Sequence, residues 1–104
     1  MIVSGGENIA ASEVEAALRM HPDVADCAVV GLPEPHWGER LVACIEPRLG
    51  SAPEAGQLER WARDRLAGYK VPRQYRFDLT LPRTASGKVQ RRTLRDQLRE
   101  LEQP

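Results

Sequence analysis

A single lysine, Lys88, closes the run Pro82-Arg83-Thr84-Ala85-Ser86-Gly87-Lys88 and is followed at once by Val89, Gln90, Arg91 and Arg92. This is the composition of a loop that delivers one ammonium to a target outside its own domain. Ser86 and Gly87 let the backbone turn without a Cβ clash. Pro82 keeps the approach extended and ends the strand before it. Lysine is a compact point charge on a long stem, suited to bridging two anionic oxygens. Near the other end of the chain, Gly5 and Gly6 permit close backbone approach and lead into the carboxylate of Glu7. Trp37 lies in a proline-rich loop that leaves a large ring partly exposed, and Tyr69 follows a helix end, with Lys70 and Arg73 beside it as cations that could meet phosphates. Trp61, on the apolar face of a helix, reads as core. His21, before Pro22, reads as structural, and His36 has no assigned role. No serine or cysteine has an identifiable base partner, so hydrolase chemistry is not indicated.

Three segments carry a resemblance in register: Ile2-Val3-Ser4-Gly5-Gly6-Glu7-Asn8-Ile9, Val29-Val30-Gly31-Leu32-Pro33-Glu34-Pro35-His36-Trp37-Gly38-Glu39, and the Lys88 run itself. Together they resemble the small C-terminal lobe of the adenylate-forming enzymes, which include acyl-CoA synthetases, aryl-CoA ligases, luciferases and the adenylation domains of peptide synthetases. The resemblance spans nearly the whole chain. It implies an enzyme that joins a carboxylic acid to AMP and then passes the acyl group to coenzyme A or to a carrier-protein phosphopantetheine thiol. Lys88 matches the lysine that meets the carboxylate and phosphate oxygens during adenylation, where a placed cation stabilises developing charge. Gly5, Gly6 and Glu7 match the loop that lines the pantetheine channel in the thiol step. Trp37 and Tyr69 match positions where some aryl-CoA ligases stack adenine, with Lys70 and Arg73 near the coenzyme A phosphates. Val71 departs from the pattern, since some of those ligases carry an arginine there. Arg91 and Arg92 are equally placed to contact the larger lobe, coenzyme phosphates or solvent.

The resemblance also implies a division of labour. ATP, Mg²⁺ and the acid would be held mainly by a large N-terminal lobe, with a hinge just upstream of the first motif, so residues 1–104 are expected to form one domain of a larger ligase and to be inactive alone. Two motifs at opposite ends of the sequence imply a lobe that rotates between half-reactions. The runner-up is the equivalent lobe of a carrier-loading adenylation domain. A stand-alone module that binds coenzyme A or a protein partner is a further alternative.

Composition sets limits around this reading. With 104 residues, 41% hydrophobic and 29% charged, the chain is sized and balanced for one globular domain. Its apolar runs are too short to span a bilayer, and no secretory signal opens it, so the expected setting is the cytoplasm. Cys27 and Cys44 sit inside apolar runs and read as reduced core residues, with no metal-binding spacing. The net charge of zero hides a split. Residues 1–59 hold three basic and ten acidic side chains, whereas residues 60–99 hold twelve basic and three acidic. The second half projects a positive field toward an anionic partner. Nucleic acid is disfavoured as that partner by the acidic first half and by the lack of a nucleic-acid motif. No Walker-type phosphate loop is present.

The elements that position these groups follow from periodicity. Residues 1–9 read as a short strand entering a glycine turn. Ser12-Glu13-Val14-Glu15 has the form of a capping box for a helix over 12–20. Residues 24–32 form a valine-rich strand buried on both faces and broken by Pro33 and Pro35. Residues 41–45 supply a partner strand. Leu58, Trp61, Ala62 and Leu66 share a face of a helix over 54–66, with Gly68 as its cap. A third strand covers 74–79, and Leu94, Leu98 and Leu101 mark a final helix. The expected class is α+β, a small three-stranded sheet flanked by helices with an N-terminal β-hairpin at the glycine turn.

Overall fold

The computed structural model describes residues 1–102. In chain order the elements are β1 (Ile2–Ser4), β2 (Glu7–Ile9), α1 (Ala11–Arg19), β3 (Val24–Glu34), β4 (Gly38–Pro47), α2 (Ala55–Arg63), a short 3₁₀ turn (Gly68–Lys70), β5 (Gln74–Arg76) and α3 (Arg91–Glu102). The antiparallel β3–β4 ladder is the frame, running from Val24 opposite Pro47 to Glu34 opposite Gly38. Side chains alternate across a strand, and here both sides are apolar. Cys27, Val29, Leu41, Ala43 and Ile45 face one core with Val14 and Leu18 of α1 and Leu58 and Ala62 of α2. Ala28, Val30, Leu32, Val42 and Cys44 face a second core with Leu94 and Leu98 of α3. Helices therefore cover both faces of the sheet, as the continuous apolar run of β3 requires. Leu94 and Leu98 are fully buried, each worth about 1.5–3 kcal/mol. Leu101 is 57% exposed, so the apolar stripe of α3 does not extend to it.

The three expected strands and the hairpin are present, and the hairpin joins the same sheet. β1 pairs β2, and Ser4 bridges to Gly38 of β4. β5 runs parallel to β4 over Val42–Cys44, giving five strands in all. Gly5 and Gly6 have φ of +57° and +83° and form a two-residue loop between Ser4 and its partner Glu7. Positive φ at both positions is the type I′ geometry that favours glycine.

Three local expectations are corrected. Helix α1 starts at Ala11 with Ala10 at its N-cap and no side-chain cap, so Ser12 lies inside the helix and its capping box does not form. The box instead forms at α2, where Glu54 and Gln57 cap each other's backbone N–H groups. Strand β3 runs on through Pro33, because among the described residues β3 pairs only with β4 and an edge strand tolerates a missing N–H. Gly68 does not cap α2, which ends at Arg63, but begins the 3₁₀ turn.

Candidate functional site

The Lys88 run folds as a tight hairpin. Arg83 and Val89 bridge its base, and the Gln90 N–H donates to the Pro82 carbonyl at 2.8 Å. Within it, the Thr84 N–H donates to the Lys88 carbonyl at 2.8 Å and the Gly87 N–H to the Thr84 carbonyl at 2.9 Å. The Lys88 N–H donates to Thr84 Oγ1 at 3.1 Å, and the Thr84 and Ser86 hydroxyls lie 2.9 Å apart. Gly87 has φ of +91°, which makes the turn possible. The step that reads as flexible in the sequence is thus tied down by hydrogen bonds on both sides of the turn. Only the lysine side chain is left over: Lys88 is exposed, and among the described residues its Nζ has no hydrogen-bond or salt-bridge partner.

Arg83 ties this hairpin to the frame. Its guanidinium lies 2.7 Å from Glu46 Oε1 and 2.8 Å from Asp26 Oδ2, and it also donates to the Gly87 carbonyl at 3.3 Å. Asp26 and Glu46 are opposed on β3 and β4 at the open end of the ladder. Burial pushes the Asp26 carboxyl up, but hydrogen bonds from Arg19 and Arg83 outweigh this and hold it below its ordinary range. The same pairing raises the guanidinium pKa of Arg83. A cleft of about 320 Å³ lies here, lined by Lys88, Gly87, Arg83, Asp26, Arg19 and Arg91 among others.

Beneath it lies a carboxylate whose place the sequence did not reveal. Glu15 is 1% exposed. Its Oε2 accepts from the Val29 N–H at 2.7 Å and from Arg91 Nε at 2.8 Å, while its Oε1 accepts from Arg91 Nη2. Glu15 therefore satisfies a donor on the outer edge of β3 and locks the start of α3 to α1. The only sequence signal was its place in the Ser12 box, which pointed to a different partner. Arg91 is spoken for by this bond, whereas Arg92 is exposed.

The glycine loop stands at the other end of the ladder. Gly5 donates its N–H to the Trp37 carbonyl at 2.9 Å, in the turn that joins β3 to β4. Gly38 follows with φ of +86°, and a Cβ there would sit 3.0 Å from the Val3 carbonyl oxygen. A Cβ on Gly5 or Gly6 would meet nothing within 4 Å, so the loop faces open space. Gly5, Glu7, Trp37, Tyr69, Val71 and Arg73 line a pocket of about 300 Å³. The Arg73 guanidinium lies 4.6 Å from the Trp37 ring centroid, a cation–π arrangement. Tyr69 is 47% exposed. The fold thus gathers Gly5, Glu7, Trp37, Tyr69 and Arg73, which are far apart in sequence. Lys70 is not in this group: its Nζ donates to both Glu13 oxygens, at 2.8 and 3.0 Å. Trp61 donates from Nε1 to the Ala17 carbonyl at 2.8 Å, meets His21 edge-on and carries Arg65 over its face, as a structural residue would.

From Asp26 to Glu34, β3 covers eight residue steps, or about 26 Å at the usual strand rise. The lobe's largest extent is 38 Å. Lys88 and the Gly5 loop are anchored at opposite ends of one β3–β4 ladder, and the two clefts share no residue. Among the described residues, no group of three or more His, Cys, Asp or Glu converges on a metal position, and no helix is long and apolar enough to cross a membrane.

Residues 13–88 match the family described as AMP-binding enzyme C-terminal domain. A feruloyl-CoA synthase from Amycolatopsis sp is 51% identical over 89 residues, which are 86% of this chain and 18% of that protein. A medium/long-chain-fatty-acid–CoA/3-oxocholest-4-en-26-oate–CoA ligase from Mycobacterium marinum is 46% identical over 96 residues, 92% of this chain and 18% of that one. Among solved structures, a Brucella canis acyl-CoA synthetase superimposes with a TM-score of 0.91 at 36% identity, covering 98% of this chain and 19% of the other. The chain spans about a fifth of the length of the curated relatives it matches.

Proposed function

The chain belongs to the family of AMP-binding enzyme C-terminal domains, and from that premise we propose that it is the small catalytic lobe of an ATP-dependent carboxylic acid–CoA ligase. In this reading the lobe serves two half-reactions in turn. First, Lys88 enters the active site of a large N-terminal lobe. Its ammonium meets the acid carboxylate and the α-phosphate oxygens as charge gathers on them, stabilising the transition state more than the bound substrates. ATP and Mg²⁺ belong to the large lobe, and this lobe's own contribution is the one cation. Second, after rotation, the Gly5–Gly6 turn enters the site. It offers backbone without side chains to the pantetheine arm, Glu7 orders the turn, and the pocket of Trp37, Tyr69 and Arg73 receives the coenzyme A nucleotide.

The single observation that carries the proposal is the anchoring of Lys88 and the Gly5 loop at opposite ends of the β3–β4 ladder. A ladder whose two ends, at Asp26 and Glu34, lie about 26 Å apart along β3 holds the two motifs too far apart to serve one reaction centre together. Turning the lobe presents them in sequence. The setting proposed is the cytoplasm, and the acceptor is coenzyme A rather than a carrier protein, because Trp37 and Tyr69 offer ring faces in the same pocket as the glycine loop.

The test is a full-length enzyme bearing this lobe, supplied with ATP, a panel of carboxylic acids and either coenzyme A or a phosphopantetheinylated carrier protein. Release of AMP with formation of an acyl-CoA is the expected result. Acylation of the carrier alone would assign the lobe to a carrier-loading adenylation domain, and absence of acid-dependent pyrophosphate release would remove the ligase reading altogether.

A further inference from the structure

The outer edge of β3 is guarded along most of its length. Hydrogen-bonded and non-hydrogen-bonded pairs alternate in an antiparallel ladder, so every second residue of an edge strand aims its N–H and C=O outward. On β3 these residues are Cys27, Val29, Gly31 and Pro33. The Cys27 N–H donates to Asp26 Oδ1 at 2.8 Å, and its carbonyl accepts from Arg19 Nη2 at 3.1 Å. The Val29 N–H is taken by Glu15. Pro33 has no N–H, and its carbonyl accepts from Arg40 Nη1 at 3.0 Å. Gly31 is the gap. It stands opposite Leu41, whose carbonyl turns away from β3 to accept from the Arg73 N–H at 3.0 Å. Among the described residues, the Gly31 N–H and C=O and the Val29 C=O have no partner. Gly31 is nonetheless buried, where unpaired backbone groups are rare.

This gap is the floor of a cleft of about 640 Å³. One wall, with Met1, Ile2 and Ala11, is apolar, and the other carries Arg92 and Arg95 of α3. Arg92 is exposed and makes no ion pair among the described residues. Arg95 reaches past the strand edge. Helix α3 packs on the face that Val30 and Leu32 present, whereas Glu39 alternates with Leu41 onto the opposite face, and the two side chains meet at 3.5 Å. The Arg95 Nε is buried with no acceptor among the described residues. Glu39 Oε2 lies 2.9 Å from where a Cβ on Gly31 would stand. The pair is thus a loose clasp beside an unpaired stretch of strand.

We propose that this edge docks an extended acidic segment of a protein partner, which adds to β3 as a short antiparallel strand with the pattern acid–apolar–acid. The open groups set its length. A residue opposite Gly31 exchanges both hydrogen bonds, and the N–H two residues further on donates to the Val29 carbonyl. Glu15 closes the ladder on that side and Pro33 on the other. Paired residues share a face, so the middle side chain meets the apolar wall and its two neighbours turn toward α3. Charge complementarity selects carboxylates there: Arg95 leaves Glu39 for one, and Arg92 takes the other. Main-chain bonds supply affinity in strand addition, and alternate side chains supply specificity.

The test is a titration of the ¹⁵N-labelled 104-residue chain with acetyl-Thr-Glu-Val-Glu-Thr-amide, read by two-dimensional NMR. Gly31 itself is a poor probe, because a Cβ there would lie 2.8 Å from Ile2 Cγ2, so the peptide is varied instead. Shifts should centre on Val29, Val30 and Gly31, and amide exchange at Gly31 should slow. The peptide with glutamine in place of glutamate should bind about fivefold more weakly, as expected for two exposed ion pairs. N-methylation of the valine removes the donor to the Gly31 carbonyl and should weaken binding about tenfold. Glu39→Gln keeps an oxygen for the Val3 N–H but releases Arg95, and should tighten binding. Equal binding of the glutamate and glutamine peptides would overturn the acidic partner. Equal binding of the N-methylated peptide would overturn strand addition, and absence of shifts at Gly31 would overturn the site. A full-length enzyme in which the Gly31 amide is already protected and the peptide no longer binds would assign the edge to the enzyme's own larger lobe, against a separate partner.

Discussion

Replacing Glu15 by alanine tests whether a buried carboxylate holds the α1, β3 and α3 junction together. The loss has two main parts. The Val29 N–H loses its 2.7 Å acceptor, and an unsatisfied buried donor costs about 1–3 kcal/mol. Arg91 loses both of its bonds to Glu15, but its side chain is 45% exposed and turns to water, so that part is held to about 0.5–1 kcal/mol. Removing buried methylene surface adds about 0.8 kcal/mol. The total is about 3 kcal/mol, a Tm drop of roughly 15 °C for a domain of this size. Thermal and urea unfolding of Glu15→Ala measure it directly. Arg91→Gln should be costly for a different reason, because it strands a buried charge whose next cation, Arg19, is 3.8 Å away. Adding Glu15→Gln to Arg91→Gln should therefore restore stability, giving a coupling of at least about 1 kcal/mol in the double-mutant cycle. A loss below about 1 kcal/mol for Glu15→Ala, or additive effects for Glu15→Gln and Arg91→Gln, would refute the reasoning.

Other consequences follow from the same geometry. Arg83→Gln unties the hairpin from Asp26 and Glu46, so amide exchange at Gly87 and Lys88 should quicken several-fold while exchange in β3 and β4 stays slow. Unchanged exchange at Lys88 would mean that the clamp is idle. Burial pushes the Cys27 thiol up to about 12 and the Cys44 thiol to about 11. Both should resist a thiol reagent at pH 8 in the folded chain and react fully in guanidinium, and fast reaction of either in the native state would contradict the packing. Asp26 is held below its unfolded pKa, so its contribution to stability is complete above about pH 4 and is lost as pH falls through the lowered folded value. Asp26→Asn should flatten the acid limb of a stability–pH curve, and an unchanged limb would show that Asp26 is not its source.

Much of the frame was legible in the sequence because it depends on local pattern. The valine-rich run at 24–32, the Leu58, Ala62 spacing and the Leu94, Leu98 pair each announced a buried face, and each is buried. The glycine pair announced a hairpin, and both glycines have positive φ. What stayed hidden was the choice between equivalent polar partners. Ser12 and Glu15 fit a capping box as written, but Glu15 is drawn to a free N–H on β3 and to an arginine 76 residues away. Pro33 looked like a strand breaker because its edge position depends on which strand pairs where. The acids that hold Arg83 lie 57 and 37 residues upstream, and Glu13, which takes Lys70, lies 57 residues before it. No local pattern encodes such pairs. The convergence of Gly5, Glu7, Trp37, Tyr69 and Arg73 on one pocket was implied by resemblance alone, and it takes the β1–β4 and β4–β5 pairings to bring them together.

The central claim is that one rigid lobe offers two ends to two half-reactions. Its most direct measurement is a pair of single-turnover assays on a full-length enzyme bearing this lobe: acid-dependent adenylation from ATP, and thioester formation from supplied acyl-adenylate and coenzyme A. Lys88→Ala should slow adenylation by about 10²–10³, the usual effect of removing one placed charge-stabilising contact, and leave the thioester step near its normal rate. Gly6→Val, strained at φ of +83° but with a Cβ that would meet nothing within 4 Å, should do the reverse. Equal loss of both steps in either variant would contradict the account.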